Sequence, residues 1–131
     1  MEKLKVEKGG PDDFIWVEKI FKQSKVLGNF FWMKQAIERG HGFHVIREVG
    51  FVRFHKNKEG QNVIGEIAVC ESAQRGGFGK DLLDSVPLPI LLKTDTDNIK
   101  SNAFYKKNGF KLMGKTSGKN KEFNWWLKCA V

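Results

Sequence analysis

Three stretches of this sequence carry residues whose types and spacing could do chemistry. Gln74-Arg75-Gly76-Gly77-Phe78-Gly79-Lys80 sets three glycines between two cations. Residues without a side chain let a backbone approach a ligand closely, and successive N–H groups leading into a helix point their dipoles at a bound anion. A pyrophosphate suits such a turn, and Arg75 and Lys80 could add charge-assisted contacts to its oxygens. A tight strand-to-helix turn without a ligand would use the same glycines. Glu66 stands in the apolar run Val63 to Cys70. A carboxylate among apolar neighbours has a raised pKa and suits proton abstraction at neutral pH; a strand glutamate facing solvent, or pairing with a lysine, is the other reading. Tyr105 is the only tyrosine. Its phenol is protonated at pH 7 and can donate a proton, or it can simply pack on a helix.

Two familiar phosphate loops are excluded by position. A Walker A loop fails because Gln74 stands where its first glycine belongs, and Asp81 replaces the magnesium-binding Ser or Thr. A dinucleotide fingerprint fails because Leu82 occupies the place of its third glycine, and the turn follows the fourth strand instead of the first.

The elements that must position these residues follow from periodicity. Leu4 to Glu7 alternates as a short strand, Gly9 to Asp12 supplies a turn and an N-cap candidate, and Phe14, Val17, Ile20 and Phe21 recur at helical spacing. A second helix is predicted over 30–39, stopped by Gly40. Strands over 43–48, 51–55 and 62–70 make a meander, with turns at Val49-Gly50 and Lys58 to Gln61. After the glycine turn come a helix over 78–85, which Pro87 and Pro89 end, a strand over 90–93, a helix over 99–107, and strands over 111–115 and 123–128. The order β-α-α-β-β-β-α-β-α-β-β is neither a Rossmann alternation nor a sandwich.

A chain of 131 residues with 40% apolar content fits one domain with one core, expected to span residues 1–131. No stretch approaches the roughly 20 apolar residues that span a bilayer, and Met1 to Lys5 carries charges where a signal peptide would be apolar, so no membrane partner and a cytoplasmic location are expected. Cys70 and Cys129 lack zinc-like spacing and read as reduced thiols; no metal is expected. The net charge of +8 favours anionic partners, from CoA phosphates to nucleic acid, although no basic stretch is interleaved with aromatics as in a recognition module.

Gln74, Gly77 and Gly79 match the acetyl-CoA signature of the GCN5-related N-acetyltransferase (GNAT) family: Gln or Arg, two residues, Gly, one residue, Gly or Ala. Ala68-Val69-Cys70-Glu71 precedes it as the family's Ala-Val-Asp-Pro phrase does. Asn98 to Phe110 resembles the second signature, Asn-x-x-Ala-x-x-Phe-Tyr-x-x-x-Gly-Phe, with Ser101 replacing the usual Ala. The resemblance covers nearly the whole chain. It implies an α/β fold with a mixed, twisted sheet of about seven strands and about four helices, whose fourth and fifth strands splay apart around the pantetheine arm of acetyl-CoA. The activity implied is direct acetyl transfer from acetyl-CoA, as cosubstrate, to a primary amine. The short helix after the glycine turn departs from the pattern and implies a shallower adenine pocket.

By the same resemblance, Glu66 is similar to the general base of the histone-modifying branch, the Cys70 backbone N–H would face the acetyl carbonyl, and Val69 and Ser72 would bond the pantetheine amides. Tyr105 would give its proton to the leaving thiolate. Gln74 to Lys80, with Arg75, Gly76 and Phe78 among them, would hold the pyrophosphate, while Asn98, Ser101, Phe104 and Tyr105 would line the pantetheine; Asn98 could equally cap its helix. The acceptor would be shaped by Lys25 to Trp32 and Phe123 to Trp126. Phe30, Phe31, Trp32, Trp125 and Trp126 could line an amine cleft or form core, and His41 and His44 are too isolated to read as bases. A protein or peptide amine, or an aminoacyl-RNA, is favoured over a small amine. A catalytically inactive CoA-binding module and a basic nucleic-acid-binding protein are the alternatives. A monomer or a homodimer is expected.

Overall fold

A computed structural model describes residues 4–24, 26 and 28–130. Its strands are β1 (Glu7–Lys8), β2 (Gly42–Ile46), β3 (Gly50–Lys56), β4 (Asn62–Val69), β5 (Ile90–Asp95), β6 (Lys111–Ser117) and β7 (Glu122–Lys128); its helices are α1 (Phe14–Gln23), α2 (Phe30–Glu38), α3 (Phe78–Asp84) and α4 (Ile99–Lys107). The strands form one seven-stranded mixed sheet of order β1-β2-β3-β4-β5-β7-β6. Element order and number agree with the sequence reading. The first strand is the exception: it is two residues, Glu7 and Lys8, instead of Leu4 to Glu7.

The chain divides into two compact units, Met1–His55 with Ile64–Val86, and Lys56–Val63 with Pro87–Val131. In the first unit β2 pairs antiparallel with β1 and β3, with His44 opposite Val52. Helix α1 starts where Asp13 turns back: its carboxylate accepts from Gly10 N at 3.0 Å and from Trp16 Nε1 at 3.0 Å. Helix α2 is capped by Asn29, whose side chain accepts from Trp32 N at 3.1 Å. Val17 and Ile20 of α1 and Met33 of α2 bury against Phe43, Val45, Phe51 and Ala68, and Phe14, Phe21 and Phe30 close the edge of this cluster. Removing such side chains from water is what drives the packing.

In the second unit β7 lies antiparallel between β5 and β6, pairing Leu92 with Trp126 on one side and Leu112 with Trp126 on the other. A register shift between Leu112 and Gly114 leaves Met113 as a bulge. Strands β4 and β5 run parallel and pair at Asn62–Ile90 and Val63–Leu91. Asn62 secures that start, its backbone N–H donating to Pro89 O and its side chain to Pro87 O, both at 2.8 Å. Among the described residues no helix is long and apolar enough to cross a membrane.

Candidate active site

The glycine turn lies wholly in the first unit. After Val69 the chain makes a single 3₁₀ turn, Glu71–Ala73, and Gln74 Nε2 reaches back to donate to Val69 O at 3.3 Å. Arg75 (φ 75) and Gly77 (φ 82) are both left-handed, and Gly77 is the N-cap of α3. Only at Gly77 is that conformation free of steric cost. A Cβ at Gly76 would lie 2.7 Å from the Phe78 ring, whereas nothing stands within 4 Å of a Cβ at Gly77, so the space over the helix start is open. The first amides of α3, from Phe78, Gly79 and Lys80, have no intrahelical acceptor to bond. Open space, a left-handed glycine and amides without an intrahelical acceptor fit a diphosphate. Arg75 is exposed beside them. Lys80 is held along the helix by Asp84 at 2.6 Å, which raises its pKa, and this exposed pair is weak enough to be exchanged for phosphate.

A buried ionic cluster spans β3 and β4 in the same unit. Arg53 grips Glu66 with both arms of its guanidinium, Nε to Oε1 at 2.5 Å and Nη2 to Oε2 at 2.9 Å, and both side chains are 5% exposed. Its remaining nitrogen, Nη1, donates to His41 Nδ1 at 2.8 Å, and the exposed Trp32 ring lies 5.5 Å from the guanidinium carbon. The His41 ring lies tilted at 5.0 Å from that of His55, whose Nδ1 is buried and has no hydrogen-bond partner among the described residues. Burial, and then the Arg53 charge, hold the pKa of both imidazoles below the ordinary value. Gly65 makes the cluster sterically feasible: a Cβ there would collide with the guanidinium at 1.8 Å.

In the second unit Asn98 caps α4, its Oδ1 accepting from Ser101 N at 3.1 Å. Tyr105 is 7% exposed between Phe104 and Phe110, with ring centroids at 5.3 and 5.4 Å. Burial pushes its phenol well above the ordinary value, so it stays protonated.

The sequence matches the family model described as "Acetyltransferase (GNAT) domain" over residues 39–112, more than half of the chain. The chain belongs to the GNAT acetyltransferase family. Among solved structures, this acetyltransferase is similar to Ard1 from Thermoplasma volcanium (19% identity, 97% of each chain covered, TM-score 0.78). It is also similar to NAA60 from Arabidopsis thaliana in complex with a bisubstrate analogue (14%, 96% of this chain and 98% of that one, TM-score 0.77). A third is yncA of Salmonella typhimurium, a putative acetyltransferase with its cofactor acetyl-CoA (11%, 99% and 95%, TM-score 0.74). At these identities the likeness is one of fold. A search of curated proteins finds no match.

Within the acetyltransferase, two sequence expectations need correction. Glu66 does not sit among apolar neighbours alone: each carboxylate oxygen accepts a charge-assisted hydrogen bond from Arg53. The Cys70 N–H does not face outward as an oxyanion donor, because it donates to Val49 O at 2.8 Å. The Cys70 thiol is half-buried and lies 3.5 Å from the exposed Ser72 hydroxyl. Of the aromatics read as cleft or core, Phe30 packs on Phe14 and Phe21, Trp126 is buried in the second unit, and Phe31 and Trp32 are exposed. Lys25 and Leu27, in the acceptor segment, lie outside the described residues. No metal-ligand group occurs among the described residues. Arg53 and the histidine pair escaped sequence reasoning; the signal for them was the match of one buried-strand cation to one buried-strand anion.

Two predictions follow from the cluster. Arg53→Met strands a buried carboxylate and should cost about 3–5 kcal/mol in urea unfolding, whereas Arg53→Met combined with Glu66→Leu should recover most of it. Because His41 and His55 titrate lower in the folded chain than in the unfolded one, the unfolded state binds more protons below about pH 6.5. Stability should therefore fall as pH drops through that value, and His41→Gln/His55→Gln should flatten the decline.

Proposed function

We propose that the protein is an acetyl-CoA-dependent N-acetyltransferase acting by direct attack of a primary amine on the thioester. The left-handed Gly77 cap carries this reading: it turns β4 into α3 with open space over amides suited to the diphosphate of acetyl-CoA. The residues proposed to hold that diphosphate are Gln74, Arg75, Gly76, Gly77, Phe78, Gly79 and Lys80. Val69, Cys70, Ser72, Asn98, Ser101 and Phe104 are proposed to face the pantetheine. The family model runs through residues of both units, which supports treating the chain as one acetyltransferase domain.

Transfer forms a C–N bond between the amine and the acetyl carbon and breaks the C–S bond, leaving a thiolate that needs a proton. Tyr105 is the group proposed to supply it. Its burial keeps the phenol in the acid form through the neutral range, and the Phe104 and Phe110 rings fix its orientation. Glu66 enters as a positioning group: pinned by Arg53, it fixes β4 and leaves the amine to lose its proton to water. Among possible acceptors we favour a protein or peptide amine, supported by the likeness in fold to the ribosomal-protein-S18-alanine N-acetyltransferase from Escherichia coli. Free thiols at Cys70 and Cys129 are consistent with a reducing, cytoplasmic setting.

Tyr105→Phe keeps the packing and removes the proton. Its kcat on peptide amines, followed by mass spectrometry of the acetylated product, should fall about 10²–10⁴-fold while acetyl-CoA affinity is unchanged. Acetyl-CoA binding without transfer to any amine by the wild type would leave a CoA-binding module in place of an enzyme.

A further inference from the structure

The positive charge of the chain is gathered in the second unit. Lys56–Val63 and Pro87–Val131 together hold eleven lysines against four acidic residues, +7 of the net +8, whereas the first unit has twelve basic residues against eleven acidic ones. A surplus confined in this way is the electrostatic footprint of a polyanionic partner.

The one helix of this unit among the described residues, α4, packs through Asn102 against Thr94, Asn124 and Trp126. Side chains alternate along a strand, so Lys93, Phe123 and Trp125 stand on the other face of the sheet, where this unit places no helix. Lys93 is directly opposite Trp125, and Trp125 is opposite Gly114. Both rings are half-buried, and Lys93 Nζ lies 4.6 Å from the Phe123 centroid and 5.8 Å from that of Trp125. Trp125 is held in place by its Nε1, which donates to the Thr116 hydroxyl at 2.8 Å. A Cβ at Gly114 would meet nothing within 4 Å, so space is open beside the indole. Lys111, exposed and opposite Leu127, extends the face along the β6 edge. Asp95 shares this face, but its carboxylate already accepts from Asp97 N at 2.9 Å and pairs with Lys121 at 3.4 Å. The interleaving of cations with aromatics that no single stretch of the sequence contains is assembled here from three strands.

This combination selects among polyanions. An acidic protein segment would use the lysines alone, and a duplex keeps its base faces stacked inside; a single strand offers phosphates to the lysines and base faces to the rings. A lysine over a partly exposed ring is a weak contact, so Lys93 can exchange the rings for a phosphate as a base takes its place. We propose that the open face of β5, β7 and β6 binds single-stranded nucleic acid, with bases stacked on Phe123 and Trp125 and phosphates held by Lys93 and Lys111. The surface does not rest on the acetyltransferase reading and is reported by binding alone.

The test is fluorescence anisotropy of the full chain with labelled oligouridylate and oligothymidylate of about twelve nucleotides. Saturable binding is expected, with the tighter of the two probes naming RNA or DNA as the source. Trp125→Leu should weaken it by about tenfold or more, while Trp125→Phe, which keeps an aromatic face, should stay within about threefold of the wild type. Lys93→Ala/Lys111→Ala, at two exposed positions, should make the log–log dependence of affinity on salt shallower by about 1.4, two phosphate contacts' worth. Circular dichroism checks that each variant is folded. Polyglutamate and a duplex of the same length should bind more weakly than the single strand. No saturation up to about 100 μM, unchanged affinity in folded Trp125→Leu, or binding of polyglutamate or duplex as tight as that of the single strand would overturn the proposal, the polyglutamate result making an acidic protein segment the partner instead.

Discussion

The grip of Arg53 on Glu66 is the interaction around which the first unit is organised. Two ions taken out of water are tolerated only with close geometry and with their remaining hydrogen-bonding groups occupied. Here the fork of the guanidinium meets both carboxylate oxygens, its last nitrogen meets His41, and an aromatic face lies over it. The cluster fixes β3 against β4 in one register, since a slip by one residue would point either charge at the opposite face. It also explains Gly65, which must lack a side chain for the guanidinium to lie where it does. Beyond Glu66 the strand delivers Val69 and then the glycine turn, so a structural ion pair sets the position of the proposed diphosphate site.

That arrangement recasts the chemistry expected of a strand glutamate. Glu66 is buried, and each of its carboxylate oxygens accepts a hydrogen bond from Arg53. The proton donor proposed for the leaving thiolate is Tyr105, an acid kept neutral by its surroundings and held between two rings. The second unit solves its own polar problem differently, without ions: one asparagine, Asn102, is locked by backbone carbonyls and then dictates the orientation of Trp126 and Asn124.

The order of elements was legible because the hydrophobic periods are clear and glycines or prolines punctuate them; α4 was read to the residue. The glycine turn was legible for the same reason, since backbone function leaves a compositional trace. Arg53 was not. In the alternation of Phe51 to His55 it stands as the polar, solvent-facing residue, yet β3 is a central strand covered on both faces and Arg53 is 4% exposed. Cys70 failed likewise, because the partner of a backbone amide, here Val49 O, depends on where the β2–β3 turn falls in space. Long-range polar pairing leaves no local period to read.

If the Gly77 turn holds the diphosphate of acetyl-CoA, thermal unfolding with and without the cosubstrate will report it. At about 100 times its dissociation constant, a ligand of the native state adds roughly 2.7 kcal/mol. Tm should rise clearly for the wild type and not at all for Gly77→Glu, whose carboxylate would occupy the space over the α3 amides. No shift in the wild type, or the same shift in both proteins, would contradict it.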